Sequence, residues 1–556
     1  MFRTTSPQRS IFSIEYMLDP EKRQRLENSW AKPFRDQVLP LINEEEFAEM
    51  YCNNNGAPNK SVRTLVSLHL LKDQYDLTDE ETIQMFEWNN QWHYALDINP
   101  NEAHVCRKTM HNFRTRVIAN EKGRNLFDQI ADGVANLGKI DLSIQRTDST
   151  HIVSNMMILN RLGLFVKTIE GFLSKLERTE APQLQELPQR FFDRYIDRKG
   201  YFADSKSSKA QRRIEDCAKD LWYLIDHFCE DPKISKLEQY KKLKRLFRDQ
   251  CKIVDGENPE EERVALKEPK SDKPEDHIPA DSMQSPSDEE ATYGHKGKGY
   301  EAQMSETCSE ENPFEVITDA AVSDSCGSDQ TETIPTLERL EEAGRKPETF
   351  NADAGFVSAD NIQGAEEMEV DLLGPIAGGP EKEDRLHLRN FEFNEAGEVI
   401  CCPEGHSPLR KEEDKNTQEP RVHYFFDRAT CEACPQAPQC PVIRDELRQG
   451  QSKPPSPSKK RNPPKLTTTE KDRIIAQRKQ RQETDEFKET YKIRSGIEAT
   501  NSEFKRCHGG GKLRVRSRLR VALAVYLKTA AINVKRFLSY ALSRGKVCPK
   551  TALSRA

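Results

Sequence analysis

The sequence has no run of 18 or more apolar residues, so we expect no helix that crosses a membrane. Its first ten residues, MFRTTSPQRS, lack the charged-then-apolar pattern of an export signal, so we expect a cytoplasmic protein. The cysteines are not spaced as a disulfide framework, because nine of the 14 are scattered singly and five fall between Cys401 and Cys440. This distribution favours reduced thiols and one metal cluster.

Hydrophobic residues are also scarce, at 35% against 32% charged residues, which is polar for a globular protein but short of a disordered composition. The length of 556 residues still allows several domains. The net charge of -7 conceals a segregation: residues 255–384 carry 35 acidic and 10 basic side chains, whereas residues 451–556 carry 27 basic and 8 acidic ones. A basic segment of this size attracts phosphate backbones; a solvated charged surface is the alternative interpretation.

Apolar periodicity predicts helices over most of residues 35–137, with a capping box at Thr78 and Glu81 opening the helix from Asp79 to Phe86. These helices fit either a DNA-binding module of helix-turn-helix type or a plain helical bundle. Alternation then predicts a strand from Ile140 to Ile152.

Further strands are expected at 299–305, at 314–321 and before Asp353, with a helix at 333–343, so the centre of the chain is predicted to be a mixed α/β layer. The pattern divides the chain into a helical, DNA-binding N-terminal domain (1–138), an α/β core (139–155 and 289–385), a helical insertion (156–254), an acidic linker (255–288), a cysteine-rich insertion (386–450), a basic Pro/Lys linker with a helix start (451–484) and two closing helices (485–545).

The sharpest local pattern lies on a helix predicted from 485 to 507. It carries Tyr491, Arg494, Glu498 and Lys505, which an ideal helix places within roughly 60° of one another. One face then presents an acid flanked by two cations and a phenol. A solvated helix with ordinary Glu-to-Lys pairing is the competing interpretation.

The spacing Tyr-x2-Arg-x3-Glu-x6-Lys resembles the signature of bacterial insertion-sequence DDE transposases at every position. Two more segments resemble the same family: Asp148 within Arg-Thr-Asp-Ser-Thr, and Asp353 within Asn-Ala-Asp-Ala-Gly-Phe, where the family often has Tyr in place of Phe356. Alone, each aspartate could be a turn residue at a strand end. The resemblance implies a ribonuclease-H-like catalytic domain in which Asp148, Asp353 and Glu498 are the three metal-binding carboxylates.

The implied chemistry is two-metal phosphoryl transfer, with Mg²⁺ or Mn²⁺ on the carboxylates: Asp148 bridges both ions, and Asp353 and Glu498 complete one site each. Water frees a 3′-OH at the element end, and this hydroxyl attacks target DNA. The resemblance also implies a homodimer on paired terminal inverted repeats, associated with the bacterial nucleoid. We expect DNA contacts from the signature residues and from the basic run after Gly511, namely Tyr491, Arg494, Lys505, Lys512, Arg514, Arg516 and Arg518.

The cysteine-rich segment leaves two interpretations open. Cys431 and Cys434 form one C-x-x-C pair, and Cys402 and Cys440 could complete a structural Cys₄ zinc site. Unmetallated buried thiols are the other interpretation, since only one side has the short spacing.

Three functions fit these patterns. The first is an active transposase, the second is a decayed or repurposed DNA-binding protein of the same fold, and the third is a ribonuclease-H-like structure-specific nuclease. Three acids in the expected order favour the first function, because a protein that only binds DNA does not need them.

Overall fold

The computed structural model describes residues 1–5, 13–52, 58–197, 207–254, 264–377, 385–394, 396–415, 419–443 and 463–545. Its α-helices of six or more residues are α1 (Pro20–Glu27), α2 (Val62–Gln74), α3 (Asp79–Trp88), α4 (Asn90–Ala95), α5 (Arg107–Ala119), α6 (Gly123–Gly138), α7 (Arg161–Arg178), α8 (Ser207–His227), α9 (Glu238–Gln250), α10 (Thr333–Glu342), α11 (Ala359–Glu367), α12 (Arg428–Ala433), α13 (Glu470–Arg481), α14 (Asp485–Tyr491), α15 (Ile497–Arg506) and α16 (Arg518–Gly545). Its strands are β1 (Ile144–Ile152), β2 (Cys251–Ile253), β3 (Val264–Leu266), β4 (Thr292–Gly294), β5 (Gly297–Thr307), β6 (Ile317–Asp324), β7 (Thr349–Asn351), β8 (Asp371–Leu373), β9 (Glu392–Phe393), β10 (Val399–Cys401), β11 (Arg410–Asp414), β12 (Arg421–Phe425) and β13 (Lys465–Thr469).

The helices of the N-terminal region begin where the sequence predicts them. The Thr78 hydroxyl accepts a hydrogen bond from the backbone N–H of Glu81, and the Glu81 carboxylate accepts one from the backbone N–H of Thr78, so the predicted capping box is confirmed. Ser61 caps α2 in the same way by accepting a hydrogen bond from the N–H of Thr64.

A mixed sheet forms the centre of the molecule. Its order is β4-β5-β1-β7-β8, with β6 also paired to β5. β5 is antiparallel to β1 and β6, whereas β7 is parallel to both β1 and β8. The mixed α/β class predicted for this region is therefore observed. The first strand begins at Ile144 instead of Ile140, because the N–H of Ile140 bonds to the carbonyl of Ala135 at the end of α6.

The N-terminal helices and the sheet share one hydrophobic core with the last helix. Leu68 of α2, Phe127 of α6, Met304 of β5 and Ile532 of α16 are all buried in the same cluster. The core thus crosses the boundary that the sequence places between residues 138 and 139, and the division into domains stays a prediction.

The helical insertion has a separate core, in which Phe165, Leu221 and Leu246 are fully or almost fully buried. Met283 is buried in this core, and its backbone N–H donates to the Asp249 carboxylate. The prediction of a flexible acidic linker at 255–288 is therefore wrong for residues 264–288: β3 pairs with β2, and the following chain packs onto the insertion. Residues 255–263 lie outside the described ranges.

The C-terminal part differs from the prediction in two ways. The helix predicted over 485–507 consists of α14, a 3₁₀ turn at Lys492–Gly496, and α15. Gly496 packs so closely against Arg146 that an added Cβ would lie 2.1 Å from that guanidinium. The second difference concerns the basic linker predicted over 451–484. Residues 451–462 lie outside the described ranges, but residues 465–469 form β13, which pairs with β12 in a three-stranded sheet with β11. Among the described residues, no helix combines the length and the apolar character that crossing a bilayer requires.

Candidate active site

The register of the central strands brings two aspartates to one level. Arg146 of β1 lies beside Asn351 of the parallel strand β7. Asp148 and Asp353 each follow two residues beyond this pair, so their carboxyl groups reach the same end of neighbouring strands. Because β7 ends at Asn351, Asp353 stands just past the strand, whereas Asp148 is still inside β1.

The third acid comes from α15, which packs on β1. Asn501 of this helix donates from Nδ2 to Oδ2 of Asp148 at 2.9 Å. One helical turn earlier, Glu498 faces the same carboxyl group. The start of the helix is held by Arg146, whose Nη1 donates to the carbonyl of Ile493 at 2.7 Å.

All three carboxylates surround the guanidinium of Arg494. Its Nη2 lies 3.0 Å from Oδ1 of Asp148 and 3.5 Å from Oδ2 of Asp353, and its Nη1 lies 3.6 Å from Oε1 of Glu498. Asp148 and Asp353 thus contact the same nitrogen, Nη2. The separation of their two oxygens therefore cannot exceed the sum of 3.0 and 3.5 Å. The predicted convergence of Asp148, Asp353 and Glu498 is what the structure displays.

Burial differs among the three acids. The Asp148 side chain is 10% exposed, against 38% for Asp353 and 64% for Glu498. Burial raises the pKa of Asp148 to about 6; Arg494 opposes this shift, and Glu498 and Asp353 add to it. The ionised form of Asp148 is unfavourable because the side chain is buried and two other acids lie nearby. A bound cation would stabilise that negative charge.

The acids line a cavity of about 710 Å³. Its wall includes Lys296, which donates to the Ser149 hydroxyl at 2.8 Å and pairs with Glu301 at 3.2 Å. Lys505 faces the same cavity, and burial together with the charge of Lys296 lowers the pKa of Lys505. His151 lines it as well, as a residue whose pKa burial lowers.

Sequence reasoning missed Lys296 and Asn501. Asn501 could have been found, because it stands three residues after Glu498 and so lies on the same helix face. Lys296 carries no comparable local signal, since it enters the cavity from the turn between β4 and β5.

The donor set suits a hard divalent ion, since three carboxylates offer only oxygen ligands and already converge on one cation. Within the described ranges, no three or more His, Cys, Asp and Glu side chains are arranged as a metal site. In this conformation the guanidinium of Arg494 contacts all three carboxylates. Its Nε is buried without a hydrogen-bond partner, so ion pairs alone hold this end of the side chain.

The other residues predicted to contact DNA lie in different surroundings. Tyr491 stacks on Phe487 with ring centroids 5.6 Å apart, and burial raises the pKa of Tyr491. Lys512 is exposed. The next three cations of the run make contacts within the protein: Arg514 pairs with Asp76, Arg516 donates to the carbonyl of Asn155, and Arg518 pairs with Asp324.

The four cysteines of the predicted zinc site lie close together. Cys402, Cys431 and Cys440 pack against one small hydrophobic cluster. Burial and then the thiols of Cys440, Cys402 and Cys434 raise the pKa of Cys431 to about 11. Cys401 is turned elsewhere, because its Sγ donates to Glu392 at 2.9 Å. Thiols of this kind are zinc ligands when deprotonated, but within the described ranges the four thiols are not arranged as a metal site, so zinc binding stays a prediction.

Two protein-family models match the chain. Residues 401–538 match the family described as "Transposase DDE domain", a span that contains Glu498 and the four cysteines but neither aspartate. Residues 20–116 match the family described as "Transposase domain (DUF772)", a span that contains α1 to α4 and most of α5. No curated protein and no solved structure matches the chain.

Proposed function

We propose that this protein cuts the ends of its element and joins the freed 3′-OH groups to target DNA. The premise is that the two family matches support an insertion-sequence DDE transposase. The observation that carries the proposal is the meeting of Asp148, Asp353 and Glu498 around one cation. The strand order of the central sheet supports a ribonuclease-H-like catalytic domain.

Members of this family generally use divalent metal ions. When bound, two Mg²⁺ or Mn²⁺ ions supply charge neutralisation for the phosphodiester and activation of the attacking and leaving oxygens. Asp148, whose carboxyl group accepts a hydrogen bond from Asn501, would hold the metal ions together with Asp353 and Glu498.

Arg494 has two uses in this scheme. In the present conformation its guanidinium partly neutralises three acids that would otherwise repel one another. Once other cations take over that role, the planar guanidinium is free to bind a phosphate through two parallel hydrogen bonds. Tyr491 and Lys505 stand beside it and would contact the nucleotides next to the cut.

The remaining expectations are proposals of the same kind. Terminal inverted repeats and target DNA are the partners, and a homodimer pairs the two ends near the nucleoid in the cytoplasm. Cys402, Cys431, Cys434 and Cys440 hold a structural zinc ion. The support for the zinc site is the clustering of the four thiols beside a small core.

The test compares Asp353→Asn with Asp360→Asn, an equal change on the exposed face of α11. Each full-length protein is incubated with Mg²⁺ and a plasmid that carries the coding sequence with its native flanks. We expect Asp353→Asn to lose cleavage while retaining DNA affinity in fluorescence anisotropy, and Asp360→Asn to cut normally. Cleavage by Asp353→Asn at the rate of the unmodified protein would overturn the proposal.

A further inference from the structure

A second cavity, of about 460 Å³, opens between the N-terminal helices and the C-terminal segment. We call it the basic cleft. Its walls come from α2, α3 and α5 on one side and from residues 509–528, including α16, on the other. Each of the two family matches contributes one of these sides.

The basic cleft has an excess of positive charge. Eight lysines and arginines and only two aspartates line it. Both aspartates are already engaged: Asp79 pairs with Arg114 at 2.6 Å, and Asp73 pairs with Lys528 at 3.1 Å. Lys72 also lies 3.9 Å from each of these aspartates, and Arg107 pairs with Glu80 at 3.2 Å. Lining cations still outnumber lining acids, which favours an anionic ligand for this cavity.

Two cations are available for such a ligand. Lys512 and Arg520 are exposed at the cleft, and neither side chain has a hydrogen bond or ion pair within the part of the chain that the structure describes. Arg514 and Arg516 also line the cleft but are held by Asp76 and by the carbonyl of Asn155. In the basic run predicted from the sequence, only a few described side chains can therefore bind a ligand without breaking a contact within the protein.

A buried polar group lies in the same cavity. His69 is 1% exposed and stacks on Phe113 at 5.7 Å, yet neither ring nitrogen has a hydrogen-bond partner among the residues that the structure describes. Burial, with the charges of Arg114 and Lys72, lowers the pKa of His69 to about 3, so the ring is neutral and keeps one N–H donor. Buried polar groups in native proteins are normally paired, so an unpaired one beside a cavity points to a bound partner.

The basic cleft adjoins the candidate active site. Lys505 and Arg506 at the end of α15 line the cavity of the acids, and Gly509 and Lys512 line the cleft. The turn between them is fixed to the strand that carries Asp148, because the N–H of Val153 donates to Gly511 at 3.0 Å and the N–H of Leu513 donates to Val153 at 2.7 Å. A polyanion lying across the first cavity can therefore continue into the second.

We propose that the basic cleft is a second binding site, which takes a phosphate group between Lys512, Arg520 and the imidazole of His69. That the ligand is a backbone phosphate of DNA beyond the cut rests on the proposed function. That the ligand carries a phosphate group follows from the residues of the cleft alone.

The test measures binding of a labelled DNA duplex by anisotropy at several salt concentrations in EDTA, where no cutting occurs. Lys512→Gln/Arg520→Gln removes two cations from the cleft, and Lys233→Gln/Lys236→Gln removes two exposed lysines from the helical insertion as the matched control. Each lost phosphate contact reduces the slope of log affinity against log salt by about 0.9, so the cleft variant, which loses one bound phosphate, should lose about 0.9 of that slope. The control should keep the original slope.

A second variant tests the base of the cleft. His69→Phe keeps the ring stacked on Phe113 and removes both nitrogens, so the protein should melt no lower and should lose roughly tenfold in DNA affinity. An unchanged slope in the double variant overturns the site, and unchanged affinity in His69→Phe overturns the role assigned to the imidazole.

The phosphate group could belong to DNA or to a free phosphate compound. Titration with ATP and with inorganic phosphate distinguishes these two sources. ATP that binds more tightly than duplex, and only when Lys512 and Arg520 are present, would overturn DNA as the ligand and assign the cleft to a free nucleotide. Because no chemistry is required, a protein that fails the cleavage test above can still pass this one.

Discussion

Glu306 of β5 offers a test of how α15, the helix that carries Glu498, is held. Its side chain is fully buried, and Oε1 accepts hydrogen bonds from Arg146 at 2.7 and 2.9 Å. Its Oε2 accepts from Arg536 of α16 at 2.9 Å and from the Thr500 hydroxyl of α15 at 2.6 Å. The substitution Glu306→Gln keeps the shape of the side chain and removes the charge that two buried arginines share.

The expected cost follows from these surroundings. Removing one partner of a buried pair leaves an uncompensated charge and typically costs about 3–5 kcal/mol. Arg146 and Arg536 are only 10% and 17% exposed, so water cannot replace the lost carboxylate. Arg536 retains Glu503 at 3.2 Å, which places the cost near the lower end, at about 3 kcal/mol.

The assay is hydrogen–deuterium exchange of peptides from α15, because the loss falls on the helix that Thr500 and Arg146 attach to the sheet. A loss of about 3 kcal/mol accelerates exchange limited by local opening roughly 150-fold. Glu310→Gln, at an exposed position just after β5, is the matched control and should leave exchange unchanged. Acceleration of less than about tenfold in Glu306→Gln would refute the positioning role.

Three further predictions concern the metal sites. Since Asp148 must ionise to bind a metal and burial raises its pKa to about 6, Mn²⁺ affinity in isothermal titration should fall about tenfold per pH unit below 6, and not above it. Arg494→Gln removes a competing cation and should tighten Mn²⁺ binding by roughly three- to tenfold while abolishing cleavage; weaker binding would contradict the competition. Cys434→Ser should lose zinc in elemental analysis, whereas the exposed Cys507→Ser should retain it; unchanged zinc in the first variant would count against the site.

The sequence was sufficient where contacts are local or periodic. The capping box at Thr78 depends on residues three apart. The alternation that begins at Ile140 predicts a strand in this region, although β1 itself begins only at Ile144 and is buried on both faces. Asp148, Asp353 and Glu498 each stand in a short motif that resembles the transposase family, but only the tertiary structure brings their side chains together.

The errors arose where distant contacts override local preference. The long helix over 485–507 is interrupted where Arg146, some 350 residues earlier, fills the space beside Gly496. The segment predicted as an acidic linker packs onto the insertion because Met283 is buried in the apolar core there. The composition of the segment does not reveal this contact. The DNA contact expected of Arg514 stays a prediction; the sequence does not show that this side chain pairs with Asp76 of the N-terminal region.

The sharing of one core by the first helices and α16 has a consequence for the order of synthesis. A ribosome makes α2 and α6 several hundred residues before α16, whose Val525 and Ile532 cover the same cluster. Until then the early helices keep an apolar face open to water, and final packing must wait for the last segment. A chain made only as far as β8 therefore carries Asp148 and Asp353 without the helix that bears Glu498, and the candidate active site can form only after α15 has been made.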